Sequence, residues 1–167
     1  MKRTELKRGA SQMKRTPMKK REKRHRDTKE SLTIRATYRR ENPCCEVAKF
    51  FLRHTELAVK FGYGKCARWK DGPVECDHLW GGTAGRIDLV SMLIVVAPEW
   101  HAWKTVNFMQ GLLLFLVVKF AKGEINADEF RQCSGMNLVG WIVNHRAEWP
   151  VCLVPYLDEL VKSLEEE

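Results

Sequence analysis

The sequence predicts an α+β domain in which a strand–loop–strand–helix unit is embedded in additional helices, behind a disordered basic amino-terminal arm. Three observations predict it. Two short strand-like runs, 73–78 and 89–96, flank a glycine-rich loop. Apolar residues recur at three- and four-residue intervals on both sides of that unit. Charge is unevenly placed: residues 1–40 hold 16 Lys and Arg against four acidic groups, a local +12, whereas 41–167 carry 13 basic and 17 acidic groups.

The arm, residues 1–30, holds an imperfect repeat, Lys2-Arg3-Thr4-Glu5-Leu6-Lys7-Arg8 and then Lys14-Arg15-Thr16-Pro17-Met18-Lys19-Lys20. Apolar residues are too sparse there to offset the entropy of ordering, so disorder is expected. A polyanion would order it, and DNA bound mainly through its phosphates is the expected partner. The residues assigned to that contact are Lys2, Arg3, Lys7, Arg8, Lys14, Arg15, Lys19, Lys20 and Arg21 in the arm, and Lys104 in the body. A solubilising tail or a localisation signal is the bland alternative.

Residues 31–125 are expected to form the domain proper, with its core at about 73–121, and 126–167 a helical extension packed on it. From Ser31 to Gly62 the pattern is helical, with Val47, Phe50, Phe51, His54, Leu57, Ala58 and Phe61 on one stripe and Pro43 in a first turn. His54 reads as core. The first strand ends in Cys76-Asp77-His78, and Gly81-Gly82-Thr83-Ala84-Gly85-Arg86 breaks the chain. The β-branched run Leu89–Val96 reads as a buried strand. Pro98 opens a helix through His101, Trp103, Val106, Met109 and Leu113 towards Ala121. Asn126 caps a short helix, and Pro155 starts a last amphipathic one with Leu157, Leu160, Val161 and Leu164 on one face.

Composition excludes several classes. The 44% hydrophobic fraction fits a packed domain. The charged start fits no secretory signal, and Gly111–Val118 is about half of the roughly 20 apolar residues that span a bilayer, so no membrane partner is expected. Six cysteines at uneven spacing, two of them adjacent, do not read as a disulfide framework and point to a reducing cytoplasm.

Asp77 and His101 can meet where the end of the first strand approaches the start of the helix. Carboxylate oxygen and imidazole nitrogen suit a divalent metal. His78 points the other way from Asp77 and stays available as a base.

This arrangement resembles the HNH, or ββα-metal, endonuclease family in its small phage and bacterial form. The family has an Asp-His or His-His pair closing strand one, an Asn about fourteen residues later and a ligand His or Asn about nine beyond. Here those places hold Asp77-His78, Met92 and His101. Cys76-Asp77-His78-Leu79-Trp80-Gly81-Gly82 and Ser91-Met92-Leu93-Ile94 through Glu99-Trp100-His101 are similar to the family's text, over roughly 44–106.

The resemblance implies a metal-dependent DNA endonuclease in the cytoplasm of a bacterial cell, phage-encoded or host-encoded. One Mg²⁺ or Mn²⁺, or another transition metal, would be held by Asp77 and His101. His78 would be the general base, and Arg86 would clamp a phosphate. Two departures stand out. Met92 replaces the Asn that orients the base. Ala97 and Trp100 stand where the second pair of zinc cysteines falls, so structural zinc is not expected, although Cys44, Cys45, Cys66 and His54 leave an irregular site open. The alternative is a catalytically degenerate DNA-binding or assembly protein of the same ancestry. A protein recruiter and any oligomeric state are left open.

Overall fold

The computed structural model describes residues 29–61, 72–80 and 88–166. The arm residues up to Thr28, with the expected disorder and phosphate contacts, lie outside the described residues, as do Cys66 and the glycine loop with Arg86.

The described chain is α+β. In order it forms α1 (Lys29–Glu41), α2 (Glu46–Arg53), α3 (Thr55–Lys60), β1 (Glu75–His78), β2 (Leu93–Val96), α4 (Pro98–Val106), α5 (Phe108–Ala121), α6 (Ala127–Ser134), α7 (Leu138–Asn144) and α8 (Val154–Glu166). Strands β1 and β2 pair antiparallel, with Glu75 opposite Val96 and His78 opposite Leu93. The alternation of a strand gives the small sheet two faces. Cys76, Leu93 and Val95 pack with Tyr38 and Ile34 of α1, while Ile94 and Val96 join the main core with Trp100 of α4. The sheet is thus held between α1 and α4.

The expected helix from Ser31 to Gly62 is three helices. Pro43 lies in the connection after α1, and Cys45 starts α2, its Sγ accepting from the Ala48 amide at 3.4 Å. His54 ends α2 and precedes α3, with its Nδ1 3.1 Å from the hydroxyl of Tyr156. The expected strand 89–96 is also shorter, because Val90–Met92 turn as a 3₁₀ segment before β2 begins.

The expected helix from Pro98 to Ala121 divides at Asn107, whose φ of −113° and ψ of 57° leave the helical region. Asn107 lets α5 turn back against α4, and Gly111 makes the close approach possible. A Cβ at Gly111 would lie 2.7 to 2.9 Å from Cγ, Cβ and Cα of Lys104. Residues Leu112 to Val118 are buried all round, which makes α5 a central core helix. Leu153, Leu157 and Leu160 pack into the same core, so the C-terminal helices close over the body that carries the sheet.

A buried polar network ties α1 and α2 to the end of α5. The Tyr38 hydroxyl lies 3.1 Å from Glu46 and 3.1 Å from Glu124, which share its one proton, and Lys119 donates to Tyr38 at 3.0 Å and to the carbonyl of Val90 at 3.1 Å. Lys119 also pairs with Glu124, and Lys122 with Glu46 and Glu124. Each buried charge therefore has an opposite partner, as burial requires. Among the described residues, no helix is long and apolar enough to cross a membrane.

Candidate functional site

The site is built from the two faces of β1. Glu75 and Asp77, two residues apart, share the face towards α4, while His78 belongs to the face towards α1.

On the α1 side, His78 is 8% exposed and its Nε2 is bonded to Oδ1 of Asp88, itself 8% exposed. The hydroxyl of Ser31 donates to the other oxygen of Asp88, and Nε of Arg35 lies 3.6 Å from it. Asp88 is therefore held by α1 and in turn holds the imidazole. A proton on Nε2 directed at a carboxylate leaves the lone pair on Nδ1, the tautomer a general base needs. Met92, at the position where the resemblance would put an Asn, is buried in the core. The ring's hydrogen-bond partner is Asp88.

On the α4 side the expected Asp77–His101 pairing is replaced by two side-by-side contacts. Lys104 donates to Oδ2 of Asp77 at 2.9 Å and also to the carbonyl of His78. The other Asp77 oxygen accepts from the His78 amide at 2.8 Å. Nδ1 of His101 lies 3.2 Å from Oε2 of Glu75, enclosed and without hydrogen-bond geometry. His101 and Lys104 are one turn apart on α4, so each reaches one of the two carboxylates of β1.

Lys104 was expected to face a DNA phosphate, and the structure corrects this. It is 5% exposed, its ammonium is occupied inside the fold, and it also sits 5.2 Å from the centre of the Phe115 ring. Burial pushes the lysine below its ordinary pKa, with Asp77 opposing that shift.

The donor chemistry of this face fits a hard or borderline divalent cation of the kind that takes one or two protein ligands and fills its shell with water and phosphate oxygens. Asp77 and Glu75 bring carboxylates, and His101 brings an enclosed ring nitrogen that makes no hydrogen bond. Each carboxylate oxygen of Asp77 makes one bond here and has two lone pairs, so a position remains on each. Among the described residues no group of three or more His, Cys, Asp and Glu side chains converges.

Trp100, at a position where the resemblance would put a zinc cysteine, lies among aromatic rings. Trp100 is wholly buried, 5.6 Å from Phe51 and 5.6 Å from Trp103 by ring centres. Cys45 is buried, its thiol raised above the ordinary pKa by desolvation.

Sequence reasoning missed Asp88, Ser31, Arg35 and Glu75. Two signals for them were present. Glu75 shares the alternation of Asp77, and Asp88 is an acidic residue directly before a buried apolar run, where an ion needs a partner. Ser31 and Arg35, 57 and 53 residues away from Asp88 in the chain, carried no local signal. No protein-family profile, curated protein or solved structure matches the chain.

Proposed function

We propose that the strand–strand–helix unit is a ββα-metal site of HNH type and that the chain is a metal-dependent endonuclease hydrolysing phosphodiester bonds in DNA. The observation that carries this reading is the bond from His78 to Asp88, because it supplies by another residue the orientation that Met92 cannot give. His78, neutral and held through Nε2, takes a proton on Nδ1 from the attacking water. Asp88 stabilises the imidazolium that results, and Ser31 and Arg35 keep Asp88 in place. Asp77 and His101 would hold the divalent cation, with Glu75 beside them. When bound, that cation supplies charge stabilisation at the phosphate and the leaving oxygen. Lys104 fixes the Asp77 carboxylate on the α4 side of β1. The basic arm supplies affinity for the phosphate backbone, with a strong dependence on salt.

The test is nicking of supercoiled plasmid with Mg²⁺, Mn²⁺ or EDTA, wild type beside His78→Ala. Metal-dependent nicking that vanishes in the variant supports the reading. A retarded but uncut plasmid in every metal overturns it.

One observation favours a second reading. The Lys104 ammonium already neutralises Asp77 from inside the fold, and a chain that has lost turnover has no further need of a cation there. This is the DNA-binding or assembly protein, and Met92→Asn separates the two: a weakened enzyme gains nicking, a pure binder does not respond.

A further inference from the structure

Where the end of α3, α4, the start of α5 and the turn before α8 meet, a groove of about 600 Å³ opens to solvent. Its aromatic part is Phe61, after α3, and Trp103 of α4, edge to face at 5.6 Å between ring centres and 67° between planes. Pro150 and Val151, in the turn before α8, add aliphatic lining. Gln110 of α5 and Lys60 of α3 contribute an exposed amide and an exposed ammonium. Val151 is 88% exposed and presents its isopropyl group at the groove.

We propose that this groove receives an unpaired nucleobase from a single-stranded stretch of the DNA the chain acts on. The inference rests on the nucleic-acid part of the function proposed above. The volume lies in the range of small-molecule sites. Aromatic and aliphatic surfaces accept the flat face of any base, an amide can donate to and accept from a base edge, and an ammonium at the rim can meet the flanking phosphate. Among the described residues that line the groove none is acidic, Cys152 being the remaining one. A strongly cationic arm on the same chain selects a polyanion over a neutral metabolite or an apolar peptide.

The experiment compares two fluorescein-labelled oligonucleotides of 12 nucleotides, one of thymidines and one with abasic sugars at its central positions, bound to the full chain. Both keep the phosphates that the arm would use, so their difference reports the base alone. The thymidine strand is expected to bind about tenfold tighter or more, as for one stacked base. Trp103→Leu and Val151→Asp should each bring the two strands to near parity. Val151→Asp is a surface change, so it decides the matter if Trp103→Leu fails to fold. Equal affinity for the two strands in the wild type overturns the proposal, which is also the result if the groove takes an apolar protein segment. A difference that persists in folded Val151→Asp overturns it as well. Plasmid nicking measured on the same preparations keeps the outcomes distinct: nicking without base discrimination removes the groove alone, and base discrimination without nicking removes the nuclease alone.

Discussion

Nζ of Lys104 lies 2.9 Å from Oδ2 of Asp77, enclosed between α4 and the end of β1. A buried pair of this kind is costly to break from one side, because the remaining charge keeps its desolvation cost. Lys104→Met keeps the stem that packs against Gly111 and removes the ammonium. It is expected to lower stability by about 3 kcal/mol, measured by urea unfolding. If Asp77 is a cation ligand, Mg²⁺ or Mn²⁺ should raise the melting temperature of this variant more than that of the wild type, since a divalent ion then takes over the carboxylate. An equal shift in the two proteins would count against Asp77 as a ligand.

Asp88→Asn preserves shape and removes the charge that holds His78. Nicking should fall about 10- to 100-fold, the usual loss on removing an orienting partner, with DNA affinity unchanged in a gel-shift assay. An undiminished rate would mean that the base is positioned by something other than Asp88.

Gly111→Ala tests the α4–α5 contact. In an ordinary helix this change stabilises by roughly 1 kcal/mol. Here the added methyl meets Lys104 atoms at 2.7 to 2.9 Å, including the backbone Cα. The expectation is a net destabilisation of about 1–3 kcal/mol, readable as a lower urea midpoint.

Trp100→Ala should cost about 3–5 kcal/mol, since a wholly buried indole leaves a large cavity. A zinc chelator such as 1,10-phenanthroline should leave the wild-type melting temperature in place, because aromatic packing fills this corner. A large drop on chelation would reveal a structural metal.

Burial alone would raise the Glu124 carboxyl, but hydrogen bonds from Lys119 and Lys122 outweigh it and hold its pKa below the ordinary value. A depressed carboxyl contributes stability that is present above its unfolded pKa and is lost as pH falls through the folded one. Glu124→Gln should therefore be less stable than the wild type at pH 7, with the difference shrinking towards about pH 3. A constant difference across that range would show that charge is not what Glu124 contributes.

The α+β class, the two strands and most helix positions were legible because they rest on local signals: Pro98 at a first turn, Asn126 as a cap whose side chain accepts from the Glu129 amide at 3.0 Å, and the apolar run of α5. The break at Asn107 was not legible. The apolar pattern continues through it, and the reason for the turn is the approach of Gly111 to Lys104, a tertiary contact. The candidate site divides in the same way. Asp77, His78 and His101 stand out by type and spacing. Their partners Lys104, Asp88 and Glu75 are set by which helix covers which face of the sheet, which no short-range pattern encodes.

The contact between Gly111 and Lys104 also constrains how this chain can change over generations. Residue 111 has no space for a side chain while residue 104 keeps its present backbone position, and residue 104 holds the charge that Asp77 answers. Substitutions at 77, 104 and 111 are consequently not independent. A lineage that acquired bulk at 111 would first have to displace α4 and release the lysine, stranding the aspartate. Bulk gained at 111 therefore reaches Asp77 only through the place of Lys104, which couples the three positions.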